Sequence, residues 1–237
     1  VLFDKNEKIL HQFIESFKNL KNQPQSQIFQ DIFALFVINE NFDKTFLEFG
    51  ATDGFNLSNT FMLEKSGWSG VLAEPDTQWL EALKKNRPNS KIIPKCIWKK
   101  SGHKLNFFSS KQGVLSTLED FRFSDAVSMP DNSKTRNEKG NTISVETISL
   151  NDVIEEHFKG ICPSYISIDT EGSEFEILNS LNLLKYRPAV FTIEHNFTKL
   201  EILIDKLMTK YSYVRIFDKL TYFDAWYISK EAFDKIK

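Results

Sequence analysis

Apolar side chains recur at helical spacing in the N-terminal part of the chain. Between residues 5 and 21 they fall on one face of a helix, which Asn22-Gln23-Pro24 ends. A second apolar face predicts a helix over 26–39. We expect these two helices to form a helical cap, residues 1–42, ahead of a domain that spans residues 43–237.

From Thr45 onward, short apolar strands alternate with helices. Helices are predicted near 57–66 and 76–86, from residue 173, and over 199–210. The predicted strands are 45–49, 70–74, 91–97, 165–168, 189–193, 214–217 and 225–228, with short additional strands at 105–108 and 143–148. Alternation of this kind predicts an α/β fold with a mostly parallel sheet covered on both faces.

Two features refine the predicted sheet. Pro94 lies within the third strand and cannot donate to a strand ladder, so that strand is expected at an edge. The last two strands, 214–217 and 225–228, lie too close together for a crossover helix, so we expect an antiparallel hairpin at the C-terminus.

The segment 109–141 is long and polar. It contains Gly113, Pro130 and Gly140 among many Ser, Asn, Asp and Lys residues. A connection of this length inside a compact domain is usually functional or mobile. Two interpretations stay open, a lid on the substrate side of a site and a disordered surface insertion.

Composition narrows the class of protein. The chain has 237 residues, 41% of them hydrophobic, and a net charge of -2, which gives no indication of a nucleic-acid or anionic-membrane partner. The cysteines, Cys96 and Cys162, lie far apart without metal-ligand spacing. Since neither a secretory signal nor an apolar run of membrane-spanning length is visible, we expect a cytoplasmic protein without membrane insertion. The sequence does not predict the oligomeric state.

Four predicted strands have a carboxylate at their C-terminal end. These acids are Glu48, Glu74, Asp169 and Glu194. Ligands of an open parallel sheet bind outside the carboxyl ends of its strands, so the four acids are expected at one edge. Crowded carboxylates repel one another unless a cation or a hydroxyl-rich ligand lies among them. The pattern therefore predicts a ligand site at that edge.

The turn after the first strand distinguishes two nucleoside cofactors. Gly50 and Gly54 allow the backbone to approach a ligand closely, but their G-x-x-x-G spacing lacks the third glycine of the dinucleotide fingerprint. Glu74 follows Gly50 by 24 positions, where it can accept hydrogen bonds from both ribose hydroxyls. The pattern favours S-adenosylmethionine over NAD, and therefore a methyltransferase. Glu48 and Asp53 are candidates to face the amino group of the methionine part; a turn-forming role is the alternative for Asp53.

Two further segments are candidates for the chemistry. Asp169-Thr170-Glu171 can direct two acids to one ligand if the chain bends at Gly172, and Glu194-His195 follows a buried strand. His195 titrates near neutral pH, as a general base should, although a structural role is the alternative. We expect the catalytic groups to be His195, Asp169 and Glu194. A Mg²⁺ or Mn²⁺ ion held by Asp169, Glu171, Glu194 and His195 would serve the same end.

Several segments, taken in order, resemble the FkbM-type methyltransferase family over most of the chain. They are Phe46-Leu47-Glu48-Phe49-Gly50-Ala51-Thr52-Asp53-Gly54, Leu72-Ala73-Glu74-Pro75, Ser167-Ile168-Asp169-Thr170-Glu171-Gly172-Ser173-Glu174 and Glu194-His195-Asn196, with 26–31, 57–60, 67–70 and 147–152. The resemblance implies a class I methyltransferase fold that is Rossmann-like, S-adenosylmethionine as methyl donor, and O-methylation of a sugar, glycan or related natural product.

The resemblance also implies roles for individual residues. Glu74 and Pro75 hold the ribose, and Cys96 and Ile97 flank the adenine. The methionine part is surrounded by Glu48, Gly50, Ala51, Thr52, Asp53 and Gly54. Asp169, Glu171, Glu194 and His195 face the acceptor. Ser58 and Thr170, which lie in the same motifs, complete the expected cofactor-binding set together with Asp169 and Glu171.

Two other functions stay open. A nicotinamide-dependent oxidoreductase would use the same acid on the ribose, although the missing third glycine disfavours it. A catalytically silent module that binds a glycan is the alternative from another class, and it has little need for an acid-rich site. The segment 109–141 and the aromatic run Tyr222-Phe223-Asp224-Ala225-Trp226 are expected to shape the acceptor pocket, with core packing as the alternative for Trp226.

Overall fold

The computed structural model describes residues 2–236, with side chains over 6–236. Its α-helices are α1 (Leu2–Ser16), α2 (Gln30–Val37), α3 (Phe61–Lys65), α4 (Leu80–Asn86), α5 (Pro130–Glu138), α6 (Leu150–Phe158), α7 (Glu174–Ser180), α8 (Leu200–Lys210) and α9 (Lys230–Lys235). Its β-strands are β1 (Thr45–Phe49), β2 (Ser69–Ala73), β3 (Lys91–Ile93), β4 (Cys96–Trp98), β5 (Lys104–Ser110), β6 (Thr117–Leu118), β7 (Gly140–Ser149), β8 (Tyr165–Ile168), β9 (Val190–Glu194), β10 (Tyr213–Ile216) and β11 (Asp224–Ser229).

Seven strands form the main sheet in the order β10-β11-β9-β8-β1-β2-β3. The pairs β9–β8, β8–β1, β1–β2 and β2–β3 are parallel, and β11 runs antiparallel to both β9 and β10. The structure has the expected α/β architecture: a mostly parallel sheet, a C-terminal antiparallel hairpin, and helices at the N-terminus. Among the described residues, no helix combines the length and the apolarity that crossing a bilayer requires.

The single strand predicted over 91–97 is two strands in two sheets. β3 ends at Ile93 and lies at the edge of the main sheet, as Pro94 predicted. After Pro94 and Lys95 the chain leaves that sheet, and β4 begins a second sheet of order β4-β7-β5-β6. β5 and β7 pair antiparallel from Lys104 opposite Glu146 to Ser110 opposite Gly140, so they are longer than the short strands predicted there.

Both faces of the main sheet are covered by helices. Adjacent residues of each strand point to opposite faces, so each strand contributes side chains to two cores. On one face, Leu47 lies in a core that includes residues of α6, α7 and α8. On the other face, Phe46 lies in a core that includes residues of α1, α2 and α9. In this second core the ring of Phe33 stacks on Trp226 with a centroid distance of 4.5 Å, so Trp226 is a packing residue.

Several helix boundaries differ from the prediction for local reasons. α2 begins at Gln30 rather than at residue 26, because Phe29 adopts a left-handed conformation with φ 73°. α3 begins at Phe61 rather than near 57, and Ser58 Oγ accepts from the backbone N–H of Phe61 at its start. The helices α5, α6 and α9 were not predicted. The division of the chain at residues 42 and 43 stays a prediction.

The segment 109–141 is folded rather than a disordered insertion. It contains 3₁₀ turns at Gly113–Leu115 and Glu119–Phe121, strand β6 and helix α5. Its inner surface is organised by Arg136 of α5, whose side chain is fully buried. Whether the segment opens and closes as a lid stays a prediction.

Candidate active site

One cavity of about 470 Å³ opens beside the carboxyl ends of β1, β2, β8 and β9. Its walls come from the loops that follow these strands, from β4, and from segment 109–141. This is the position at which open parallel sheets bind ligands, and the volume suits a small molecule. The cavity brings together most of the predicted site residues: Glu48, Gly50, Ala51, Thr52, Ser58, Glu74, Pro75, Cys96, Ile97, Asp169, Thr170, Glu171 and Glu194.

The two glycines of the first turn have different surroundings. Gly50 lines the cavity with φ +78°, and a Cβ placed on it would lie 2.1 Å from the carbonyl oxygen of Asp169. Gly54 has φ +73°, and its Cβ would collide with Leu83 and Arg87 at 2.4 and 2.6 Å. Gly50 therefore allows β1 and β8 to converge at the site, whereas Gly54 allows the turn to pack on α4.

Asp53, in the turn after β1, forms hydrogen bonds with the backbone of the turn and does not line the cavity. Asp53 Oδ1 accepts from the backbone N–H groups of Phe55 and Asn56 at 2.9 Å each, which is the turn-forming role weighed for it. The structure brings neither Asp53 nor Gly54 into the cavity lining, so their expected cofactor contacts have no support from this geometry.

Glu48 lines the cavity, but protein donors surround its carboxylate. It accepts from the Asn59 backbone N–H at 2.7 Å and from the hydroxyls of Ser58 and Thr60. The guanidinium of Arg87, which is fully buried, lies 3.5 Å away. A positive ligand group would have to compete with these donors, so Glu48 primarily fixes the loop 58–60 against β1.

Glu74 is a buried carboxylate clamped between two loops. Its Oε2 accepts from the Thr52 N–H and its Oε1 accepts from the Asp76 N–H, both at 2.8 Å. Burial raises the pKa of Glu74 to about 7, although these two hydrogen bonds oppose the rise. Each carboxylate oxygen retains acceptor capacity, so Glu74 is oriented yet still able to accept from a ligand hydroxyl.

The loops after β8 and β9 bring three carboxylates together. One oxygen each from Asp169, Glu171 and Glu194 lies within 4.8 Å of the others; we call this group the carboxylate triad. Burial, together with the charges of Asp224 and Glu174, raises the pKa of Asp169 to about 8. Burial and the neighbouring acids also raise the pKa values of Glu171 and Glu194 well above the usual range for a carboxyl.

Segment 109–141 contributes a cation that the sequence did not indicate as a site residue. Arg136 donates through Nη1 and Nη2 to the two carboxylate oxygens of Asp125, at 2.7 and 3.0 Å. Its Nη2 also donates to Glu171 Oε2 at 2.6 Å. The same part of the chain supplies Asn132 and Thr135 to the cavity lining. The segment thus lines the cavity, and its role on the substrate side stays a prediction.

The structure separates His195 from the carboxylate triad. Its Nδ1 accepts from the Phe197 backbone N–H at 3.1 Å, and its Nε2 lies 3.5 Å from Arg215 and 3.7 Å from Glu201. His195 does not line the cavity, whereas Glu194 does. Because neighbouring residues of an extended chain point to opposite faces, Glu194 in the cavity directs the imidazole behind the sheet edge. The geometry therefore gives no support to His195 as base or metal ligand, and both roles stay predictions.

Two buried polar atoms of the cavity lining are unsatisfied by the described part of the protein. They are Glu194 Oε2 and Asn59 Oδ1; the Nδ2 of Asn59 donates to Ser167 Oγ at 2.9 Å. Buried polar atoms are normally paired, so an orphan that lines a cavity indicates a ligand or an ion there. Asn59 was not among the predicted site residues, although it lies in a motif that carries the resemblance.

The aromatic run after β10 reaches the cavity only in part. Phe223 lines it, while Tyr222 is 67% exposed and packs edge-on against Phe197 with a centroid distance of 5.4 Å. Asn196 lines the cavity beside them and donates to Glu171 Oε2 at 3.3 Å. The cavity lining therefore includes one aromatic ring of the run, that of Phe223, and the amide of Asn196.

Comparison with known proteins gives a family. The sequence profile described as "Methyltransferase FkbM domain" matches residues 48–222, about three quarters of the chain. Comparison with curated proteins gives no significant match. Similar solved structures include a precorrin-6y C5,15-methyltransferase from Geobacter metallireducens GS-15, with 9% identity, 78% of this chain and 71% of that chain covered, and a TM-score of 0.43. They also include an O-methyltransferase from Bacillus cereus in complex with SAH, with 11% identity, 95% and 91% covered, and a TM-score of 0.40.

Proposed function

The chain belongs to the FkbM methyltransferase domain family, and from that premise we propose that it is an S-adenosylmethionine-dependent O-methyltransferase acting on a hydroxyl of a sugar, glycan or related natural product. One observation carries the proposal. The backbone-clamped carboxylate of Glu74 and the carboxylate triad line the same cavity, one at the end of β2 and the other at the ends of β8 and β9.

The residues on the Glu74 side suit a nucleoside donor. Glu74 is held by Thr52 and Asp76 in a fixed orientation, with acceptor capacity left for two neighbouring ribose hydroxyls. Pro75, Cys96 and Ile97 add an apolar wall beside it, where a base ring would lie. The Cys96 thiol stays protonated there, because burial raises its pKa to about 12.

Asn59 suits the amino-acid end of such a donor. Its orphaned Oδ1 is a neutral acceptor in a buried wall of the cavity, so it can take a hydrogen bond from an ammonium group. This role is the one that the sequence suggested for Glu48 and Asp53, whose carboxylates are instead engaged by the protein.

The protein's own groups have two tasks in this reaction: they align the acceptor hydroxyl with the methyl group of the donor, and they remove the proton of that hydroxyl. When bound, the donor supplies a methyl group already activated on a sulfonium sulfur, and the sulfur keeps the bonding electron pair as the methyl leaves. The acceptor hydroxyl oxygen forms the new bond to carbon and gives up its proton to a carboxylate. We assign the removal of this proton to the carboxylate triad, of which Asp169 is the partly exposed member, acting directly or through a cation that the triad holds.

The lining on the acceptor side favours a neutral, hydroxyl-rich ring. Gln27, Asn132 and Asn196 offer amide donors and acceptors, and Phe223 offers an apolar face. An apolar ring face together with amide groups can hold a ring that carries hydroxyls at its edge. The choice between a free, a nucleotide-linked and a polymeric acceptor is left to experiment.

A donor titration tests the first half of the proposal. We expect S-adenosylhomocysteine to bind in calorimetry and NAD not to bind, and Glu74→Gln to weaken the binding by about 10- to 100-fold through loss of an oriented charged acceptor. Glu81→Gln, which neutralises an exposed acid in α4, is the matched control. Binding of NAD with no binding of S-adenosylhomocysteine would establish the oxidoreductase instead.

A transfer assay tests the second half. Label from S-adenosyl[methyl-¹⁴C]methionine is followed into panels of free sugars, nucleotide-linked sugars and polysaccharides, and we expect base-stable methyl ether in at least one panel. Donor binding without transfer to any carbohydrate acceptor would contradict the proposed acceptor class and favour the silent glycan-binding module or another acceptor.

A further inference from the structure

The carboxylate triad and its neighbours bring together more acidic groups than the surrounding protein has cations for. Glu194 lies directly opposite Asp224 in the β9–β11 register, and Glu174 adds its carboxylate from the start of α7. Like charges directly opposite each other in a sheet are destabilising. Arg136 is already shared between Asp125 and Glu171, so its single charge does not neutralise Asp169 and Glu194 as well.

The acids around the triad are satisfied by protein donors, whereas one oxygen of Glu194 within the triad is not. Asp224 accepts from Gln30 Nε2 at 2.8 Å, and Glu174 accepts from the Thr170 and Gly172 N–H groups at 3.0 and 2.9 Å. By contrast, Glu194 is 7% exposed and its Oε2 has no hydrogen-bond partner among the described residues. A buried carboxylate oxygen without a protein donor calls for a partner, and a cation among the acids would supply one.

The triad oxygens are close enough together for one cation to be brought into contact with all three by small side-chain shifts. Oxygens on opposite sides of a Mg²⁺ or Mn²⁺ ion are about 4.2 Å apart, and around Ca²⁺ they are about 5 Å apart. The triad oxygens all lie within 4.8 Å of one another. Glu171 directs Oε2 to Arg136 and Asn196, which leaves its Oε1 for an ion. Oxygen ligands without nitrogen or sulfur select hard cations.

We propose that Asp169, Glu171 and Glu194 bind one hard divalent cation, Mg²⁺, Mn²⁺ or Ca²⁺, in the cavity. His195, which the sequence suggested as a fourth ligand, is not part of this site, because its ring contacts Arg215 and Glu201 instead. With three carboxylate oxygens as ligands, a six-coordinate ion keeps positions open toward the cavity.

The proposal narrows the acceptor, and in this respect it rests on the proposed function. Two adjacent hydroxyls of one ring can occupy two open positions, which fixes the ring and lowers the pKa of the bound hydroxyl. The expected substrate class is thus a vicinal diol, of which one oxygen is methylated while the other stays on the ion. An acceptor with an isolated hydroxyl would bind through a single oxygen and be a poorer substrate.

Cation binding is measured on the full chain without any methyl transfer. Protein stripped with EDTA is titrated with Mn²⁺ at constant ionic strength, with the bound ion followed by water-proton relaxation, and then with Mg²⁺ and Ca²⁺ in competition. We expect one Mn²⁺ per chain, and affinity lowered on the order of 100-fold in both Asp169→Asn and Glu194→Gln. Both variants should fold, since each removes like-charge repulsion; their thermal midpoints in EDTA check this.

Asp224→Asn is the matched control. It removes one negative charge from the same group of acids, but Asp224 is outside the triad and is held by Gln30 and Trp226. We expect it to keep Mn²⁺ affinity within a few-fold of the original protein. Equal losses in all three variants would mean a diffuse negative field rather than ligation, and would overturn the proposal. So would absence of Mn²⁺ binding at millimolar concentration.

The donor titration keeps the two proposals apart. If S-adenosylhomocysteine binds in EDTA while Mn²⁺ does not bind at all, the metal site fails and the methyltransferase proposal stands. If Mn²⁺ binds and S-adenosylhomocysteine does not, the metal site stands and the methyltransferase proposal fails.

Discussion

Arg136 and Glu171 form a salt bridge of 2.6 Å that joins helix α5 of segment 109–141 to the loop after β8. The guanidinium is fully buried and also holds Asp125 and the carbonyl oxygen of Leu115. The Arg136 side chain thus links separate parts of segment 109–141 to one another and links the segment to Glu171 of the carboxylate triad. The wall of the cavity and the charge inside it therefore depend on the same residue.

Replacing Arg136 tests this coupling. Arg136→Met leaves Asp125 and Glu171 buried without their counter-charge, and we expect it to lower the free energy of unfolding by about 3–5 kcal/mol. Urea denaturation measures the change. Lys134→Met, which removes an exposed cation from the same helix, should stay within about 0.5 kcal/mol of the original protein. A loss no greater than that of the control would contradict the buried-anchor role.

Substitution of Gly50 can be compared with substitution of Gly102. Both glycines have the same backbone conformation, but only Gly50 has other atoms close to the position of a Cβ. Gly50→Ala places a Cβ 2.1 Å from the Asp169 carbonyl oxygen at φ +78°, while Gly102 has φ +77° and no heavy atom of the described residues within 4 Å of such a Cβ. Gly102→Ala should cost only the left-handed strain, about 1–2 kcal/mol. Gly50→Ala should cost more in urea denaturation and also weaken S-adenosylhomocysteine binding. Equal costs with unchanged binding would show that β1 and β8 do not need this close approach.

Glu74 should make stability depend on pH in a defined direction. Its pKa rises from 4.5 in the unfolded chain to about 7 in the fold, so folding favours the protonated acid. This contribution is complete below pH 4.5 and is lost as pH rises through about 7, because the unfolded state releases its proton first. Relative to Glu74→Gln, we expect the ligand-free protein to lose about 3 kcal/mol over this range. Urea midpoints of both proteins at several pH values measure the difference; a difference that does not change with pH would contradict it.

The acids at the strand ends of the site could be predicted, because each is identified by the few residues around it in the sequence. Glu48, Glu74, Asp169 and Glu194 each follow an apolar run, and all four line one cavity. The chain order of the strands then fixes which edge they share. Short apolar runs and single acids were sufficient for this part of the site.

The features that the sequence did not predict depend on contacts between residues that are distant in the chain and on how the two sheets meet. Arg136 lies 35 positions from Glu171, in a segment that is polar because buried ion pairs rather than apolar side chains organise it. The break at Pro94 required knowing that two sheets meet there. The place of His195, by contrast, follows from strand alternation once Glu194 is assigned to the cavity.

The two candidate bases make the last prediction, because the structure places one in the cavity and the other behind it. Asp169→Asn should lower the rate of methyl transfer by about 10²- to 10⁴-fold, because it removes a triad carboxylate that takes the proton or holds the cation that acidifies the hydroxyl, while S-adenosylhomocysteine still binds. His195→Gln should stay within a few-fold of the original rate, since the imidazole contacts Arg215 and Glu201 rather than the cavity. Rates are compared at saturating donor and divalent cation, so that lost binding is not mistaken for lost chemistry. If His195→Gln is as slow as Asp169→Asn with its thermal midpoint and donor affinity intact, the imidazole must reach the acceptor, and the assignment of proton removal to the carboxylate triad fails.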